Sequence, residues 1–224
     1  MLKRCVGGWL TVAALLAAAG CGGGSDQGKL RVMNASPNES GLDVLVDGKS
    51  IATGIAYGNN SDYISVASGS RHVQIEASGT TTILIDQNVS VASSGESTVL
   101  ATNLAADISA LVLIDDATAP ATGDASLRVV NASPTLGSVD VYVVAPGADL
   151  VASTPVIRNL AFNAATDYQT LTAGSFEVVM TAPGTTIPLL DTGALNLTAG
   201  QNRTVVSMDG VSGGFTATVL SDLN

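Results

Sequence analysis

One histidine and two cysteines bound the chemistry open to this 224-residue chain. A Ser-His-Asp hydrolase would rest on His72 alone, and no G-x-S-x-G turn surrounds any serine. A zinc site would need a second imidazole or a thiolate. Cys5 and Cys21, however, both stand near the N-terminus, ahead of the body of the chain. Asp43 and Asp47 could offer carboxylates to calcium. That ion takes about six to eight converging oxygens, and the ligand spacing of a calcium loop is absent. A pair of carboxylates at glycosidase distance is the one catalytic arrangement the sequence leaves open. No cofactor and no metal site are expected.

Charge and aromatic content narrow the partners. The formal net charge is −10, and loss of Lys3 and Arg4 would take it to −12. Phosphate backbones are repelled by such a surface, so nucleic acid is not an expected partner. The one tryptophan is Trp9, near the N-terminus, so an exposed-tryptophan platform for sugars has no support.

Lys3 and Arg4 precede an apolar run from Val6 to Ala19, which is too short for a stable membrane span. The run ends in LAAAGC, residues 16–21, which resembles the lipobox of bacterial lipoproteins. Ala18 stands where leucine is commoner. The resemblance implies that the Cys21 thiol is diacylated and that Cys21 becomes the mature N-terminus. Ordinary secretion with cleavage after Ala19 is the alternative. Gly22, in place of an aspartate, resembles the pattern sorted to the outer membrane. Residues 1–21 are thus expected to be a lipoprotein signal peptide, and residues 22–28 a flexible linker. The expected location is the cell envelope, lipid-anchored, at the outer membrane. The membrane is reached through the lipid, and envelope proteins or glycans are the remaining partner classes.

The elements that would position any site come in two copies. Residues 30–46, LRVMNASPNESGLDVLV, return as residues 127–143, LRVVNASPTLGSVDVYV, with ten of 17 positions identical. Residues 54–70 return as 159–175, so the second copy carries eight extra residues between Val143 and Leu160. Residues 108–115, ISALVLID, match 215–222, FTATVLSD. A repeat of this length is a whole domain, too long for a solenoid unit. The expected modules are residues 29–114 and 126–224. Residues 115–125, DDATAPATGDA, read as an acidic linker of moderate stiffness. The body holds no cysteine, so each module must stand on its own core.

Short apolar runs separated by Gly, Asn, Asp and Ser turns argue for strands. Asp47-Gly48 marks a two-residue hairpin, and Pro146-Gly147 a longer turn at the insertion. Residues 103–108, NLAADI, could form one helical turn. The expected fold is all-β, two tandem antiparallel Ig-like β-sandwich modules of about seven strands each. LRV-x-NASP, VDV-x-V and DY-x-x-x-x-x-G-S resemble domain-of-unknown-function family 4397 of exported bacterial proteins. That resemblance implies an extracytoplasmic β-module, often in tandem, with no established catalytic residue.

The repeated polar residues have structural readings. Asn34, Ser36 and Pro37, with Asn131, Ser133 and Pro134, read as a corner at a strand end, proline stopping the ladder and asparagine satisfying turn groups. The rival reading is a ligand site made of two Asn-Ser pairs. Asp43 and Asp140 alternate to an outer strand face and are expected to be solvated. Tyr63 and Tyr168 resemble the tyrosine corner, a buried ring whose hydroxyl bonds backbone. Tyr57 and Phe162 are expected in the core, and His72, replaced by Glu177 in the second copy, at the surface. The functional expectation is a non-catalytic envelope module for binding or structure. Its alternative is an envelope hydrolase with a site in the interdomain cleft.

Overall fold

The computed structural model describes residues 26–223. The expected signal peptide, the expected lipidation site at Cys21 and most of the expected linker fall outside the described residues. Eight strands build the first module: β1 (Gln27–Asn34), β2 (Gly41–Val46), β3 (Lys49–Ala56), β4 (Ile64–Ala67), β5 (Gly69–Ala77), β6 (Ile83–Val91), β7 (Glu96–Thr102) and β8 (Ser109–Asp115). They form two four-stranded sheets, ordered β4-β1-β7-β8 and β3-β2-β5-β6. The second module follows with β9 (Asp124–Asn131), β10 (Val139–Val144), β11 (Ile157–Leu160), β12 (Ala164–Ala165) and β13 (Gln169–Thr172). It closes with β14 (Gly174–Thr181), β15 (Pro188–Asp191), β16 (Leu195–Leu197), β17 (Asn202–Asp209) and β18 (Phe215–Leu223). Its sheets are β12-β9-β17-β18, with β13 also on β9, and β11-β10-β14-β15, with β16 on β14.

The fold is all-β, two tandem sandwiches. The pairings are antiparallel except β1 with β7 and β9 with β17, which run parallel. The strand count exceeds seven for local reasons. β13 is the counterpart of β4, and β12 corresponds to the isolated bridge of Met33 with Asn60 in the first module. The counterpart of β6 is broken at Thr192-Gly193, where Gly193 has φ 64°. Residues 105–107 form the short helical turn expected near there, a single 3-10 turn. Asp47 and Gly48 have φ 51° and 76°. Both central residues are thus left-handed, as a type I′ turn requires, and Val46 pairs directly with Lys49.

Within the first module, Leu30, Val32, Val99 and Ala101 of one sheet pack on Leu42, Val44, Val73 and Ile75 of the other. Leu127, Val129 and Val205 pack on Val139, Val141, Val178 and Met180 in the second. Strand period then sends the intervening residues of β1, β7, β9 and β17 to the opposite face. That face is not solvated. Met33, Ala35, Leu100 and Leu113 of the first module meet Val130, Ala132, Val206, Met208 and Leu220 of the second in a third apolar layer. This corrects the expectation that each module stands on its own core alone. β1 and β9 carry no solvent-facing side after their first residues because both their faces are buried.

Candidate functional site

The third layer ends in a cluster of charge. Arg31 on β1 and Arg128 on β9 occupy one repeat position, and Asp115 on β8 and Asp222 on β18 another. All four are buried, with 2, 4, 5 and 4% of their surface exposed respectively. Arg31 donates from Nη2 to Asp222 Oδ1 at 2.5 Å, from Nη1 to the Ser221 carbonyl at 2.9 Å and from Nε to Thr98 Oγ1 at 2.9 Å. Arg128 repeats the set across the interface, from Nη2 to Asp115 Oδ1 at 2.5 Å, Nη1 to the Ile114 carbonyl at 3.0 Å and Nε to Thr204 Oγ1 at 2.9 Å. Each module therefore lends an arginine to the other module's aspartate. The cross distances, Arg31 to Asp115 at 3.8 Å and Arg128 to Asp222 at 3.9 Å, close a square of two cations and two anions.

The tyrosines complete the square. Tyr63 O–H donates to Asp115 Oδ2 at 2.7 Å, and Tyr168 O–H to Asp222 Oδ2 at 2.8 Å. The Arg31 guanidinium lies 4.4 Å from the centre of the Tyr63 ring, and that of Arg128 lies 4.6 Å from Tyr168. Burial first, and then the neighbouring Asp115 carboxylate, push the Tyr63 phenol well above its ordinary range. Burial does the same to Tyr168, and Arg128 pulls the other way without reversing it. Both phenols stay protonated and act as donors. Thr98 and Thr204 each accept from an arginine and donate to Asp115 and Asp222 respectively, both at 2.5 Å. The tyrosine-corner expectation is corrected here: each hydroxyl bonds a carboxylate instead of backbone. A buried carboxylate facing an arginine accepts more strongly than a neutral carbonyl.

Such a square sets register more than it adds stability. Desolvating four charges costs about as much as their attraction returns. A mis-docked module, however, would leave a bare charge in an apolar layer. Smaller contacts flank it: Tyr57 O–H to the Asp209 carbonyl at 2.6 Å, Thr218 Oγ1 to the Gly58 carbonyl at 3.1 Å, and Thr102 Oγ1 to Asn163 Oδ1 at 2.9 Å. This packing occupies much of the place between the modules where a hydrolase cleft is the alternative. Beside it lies a polar recess of about 310 Å³ that touches Arg31, Tyr63 and Ser221.

The other repeated polar residues hold turns. Asn34 Nδ2 donates to the carbonyls of Glu39 at 2.9 Å and Ile55 at 3.1 Å, and its Oδ1 accepts from Ser36 N. Asn131 Nδ2 donates to Gly137 and Leu160. Pro37 sits inside the turn closed by Glu39 N to Ser36 O, and Pro134 in the matching turn, where Ser133 Oγ accepts from Leu136 N and donates to Asp209. Asp43 accepts from Gly54 N, Gly79 N and Ser78 Oγ. Asp140 accepts from Asn159 N and Gly184 N at the same two repeat positions. Those backbone donors hold both carboxyls below the ordinary value of 3.8. The expectation of solvated aspartates is corrected for Asp140, which is 1% exposed, with β11 at Asn159 and the turn at Gly184 bonded to it. Asp43 is half-buried.

His72 Nε2 lies 2.6 Å from Asp86 Oδ1 on the outer face of the first module. Tyr57 packs against the third layer, and Phe162 is half-buried. Among the described residues no three His, Cys, Asp or Glu side chains converge as a metal site. Sequence reasoning misses Arg31, Arg128 and Asp222, and it places Asp115 in the linker. A signal for them exists: an arginine inside an unbroken apolar strand, twice, and an aspartate closing the last strand, twice.

Solved structures give distant likenesses. A carbohydrate-binding module of family CBM26 from Eubacterium rectale, in complex with maltoheptaose, is 14% identical, covers 86% of this chain and 96% of its own, and has a TM-score of 0.28. The Bacillus anthracis TIE protein is 9% identical over 80% of this chain and 33% of its own, at 0.25. A streptococcal virulence factor that binds α-glucan is 10% identical over 80% and 92%, at 0.26. None superposes closely enough to assign a fold or a ligand. Curated proteins give no significant match. The sequence pattern of one family matches residues 28–142 and again 144–224, the first match running on through β9 and into β10. The chain belongs to that family, the domain of unknown function DUF4397.

Proposed function

We propose that this chain is a non-catalytic lipoprotein of the cell envelope, two sandwiches locked into one body that binds or spaces envelope components. The observation that carries the reading is the buried square. It ties the modules together, and it engages the carboxylates and phenols of the interface in contacts that a reaction would have to break. The LAAAGC sequence before the glycine-rich residues 22–24 supports an anchor at Cys21, and Gly22 supports the outer membrane. The outer face of β3-β2-β5-β6, with His72, Gln74 and Asp86, is the surface offered to protein or glycan partners. In the second module the matching face is covered by Leu150, packed with Tyr142 and Val179.

Metabolic fatty-acid labelling with membrane fractionation tests the anchor. Wild type should take label and fractionate with outer membrane, and Cys21→Ser should do neither. Equal labelling of both, or of neither, overturns it.

A further inference from the structure

We propose that the module interface is self-complementary, and that its further partner is a second copy of this chain, joined by exchange of modules between copies. The interface is built from repeat-equivalent residues on both sides. Arg31 meets Asp222, and Arg128 meets Asp115. Since Arg31 and Arg128 are equivalent, as are Asp115 and Asp222, one module presents both the donor and the acceptor of the lock. The supporting groups are doubled too: Thr98 with Thr204, Tyr63 with Tyr168, and the carbonyls of Ser221 and Ile114. The apolar layer pairs Met33 with Val130, Ala35 with Ala132, Leu100 with Val206 and Leu113 with Leu220 at matching positions. A surface that complements its own equivalent is the isologous geometry of a two-fold dimer. Here the two halves lie on one chain, joined by the short connection between β8 and β9.

A first module can therefore accept the second module of another copy with every contact kept, which is domain swapping. It can also accept another first module, Arg31 on Asp115 in both directions. Contacts without a twin favour the pairing of unlike modules, Thr102 with Asn163 and Thr218 with Gly58 among them. Tyr57 donates across the interface to Asp209, and Phe162, in its repeat position, has no hydroxyl with which to do so. The chain thus closes on itself when dilute and links to copies of itself when crowded on a surface or when closure is obstructed.

The test uses the full chain with Cys21→Ser to keep it free of lipid, and reads mass by light scattering. Arg31→Asp with Asp115→Arg inverts the first module alone, so like charges face Asp222 and Arg128 within the chain. Two inverted first modules still complement each other, as do two unaltered second modules. The expected result is a mass of two copies or more. Adding Arg128→Asp and Asp222→Arg should return the mass to that of wild type. A folded double variant with wild-type mass overturns the proposal. If the inverted chains lose their β circular-dichroism signal, deletion of residues 117–122 with the native lock decides. That chain should also weigh two copies or more, and wild-type mass overturns the proposal.

Discussion

The two modules agree where they face each other and differ where they face away. At the interface Arg31, Thr98, Tyr63 and Asp115 are matched by Arg128, Thr204, Tyr168 and Asp222. Their hydrogen bonds agree pair by pair: the arginine–threonine bonds are both 2.9 Å, the arginine–aspartate and threonine–aspartate bonds all 2.5 Å, and the tyrosine–aspartate bonds 2.7 and 2.8 Å. On the outer sheets, β2 and β3 are joined by the two-residue turn at Asp47-Gly48. β10 and β11 are joined instead by the longer connection from Ala145 to Val156. That connection makes a 3-10 turn whose Leu150 is buried against Tyr142 and Val179. The corresponding first-module positions, Leu45 and Gln74, are only half-buried. A hairpin end tolerates added chain because loop closure grows slowly with length. A buried charge tolerates no solitary change, because its partner would be left bare. The interface has kept its chemistry, and the outer faces have taken different forms.

The comparison breaks first at the square. Arg31→Met leaves Asp222 with Thr204 and Tyr168 as donors but without its guanidinium. Breaking a buried pair in this way costs about 3–5 kcal/mol. Arg128→Met should cost the same, since Asp115 loses the same partner. Urea midpoints measure both. A difference between them above about 1 kcal/mol, well beyond the usual few tenths of additivity error, would show that the two halves are not equivalent. Arg31→Met with Asp222→Leu should recover much of the loss, because replacing both partners removes the unpaired charge.

The outer faces give the next effect. Leu150→Ala removes the plug from Tyr142 and Val179 and should cost about 2 kcal/mol, the low end for a buried leucine, since the cluster is small. Leu45→Ala in the first module should cost less than about 1 kcal/mol, as at a partly exposed position. Thermal melts of the two variants check this, and equal losses would mean that the insertion is an ornament of the loop and not a cover.

What is legible in the sequence follows from what repeats and turns encode. The type I′ turn at Asp47-Gly48 is readable because left-handed φ at two successive positions nearly demands those residues. The sandwich is readable because short apolar runs alternate with turn signals. The module interface is not, since an apolar strand buried on both faces has no polar period to report which face meets what. Arg31 inside LRVM is the one break in that run. Its meaning depends on Asp222, almost the whole chain away, and no local spacing connects them. Asp115 sits beside Asp116 and reads as part of an acidic linker. Tyr63 and Tyr168 are legible as anchoring tyrosines, but the structure leaves them half-buried, and their acceptors lie on strands that sequence alone does not bring near.

Acid tests the paired aspartates. Asp43 and Asp140 both titrate below the ordinary 3.8 because backbone N–H groups favour the charged form, those of Gly79 and Gly54 for Asp43 and of Gly184 and Asn159 for Asp140. A carboxyl with a depressed folded value adds stability that is complete above the unfolded value and is lost as pH falls through the folded one. The gap in melting temperature between wild type and Asp140→Asn should therefore hold constant from about pH 7 to 5 and shrink below about pH 4. Asp43→Asn should follow the same course, the two turns being built alike. A gap that widened in acid would assign the stabilisation to the neutral form.

The smallest effect comes from an interface contact without a twin. Tyr57 O–H donates to the Asp209 carbonyl, and burial pushes its phenol up to about 12, so it remains a donor at any physiological pH. Tyr57→Phe makes the first module resemble the second at this position. It removes one neutral hydrogen bond, which is worth about 1 kcal/mol, and leaves the Asp209 carbonyl without that donor. Phe162→Tyr should gain nothing, because the first module keeps Asn103 in the left-handed conformation where the second has Asp209, with φ 72°. Its side chain is engaged locally with Leu104 and Asp107. Urea titrations of the two variants would read as one loss near that size and one change near zero. If Tyr57→Phe cost nothing, the preference for pairing unlike modules would have no basis in this contact.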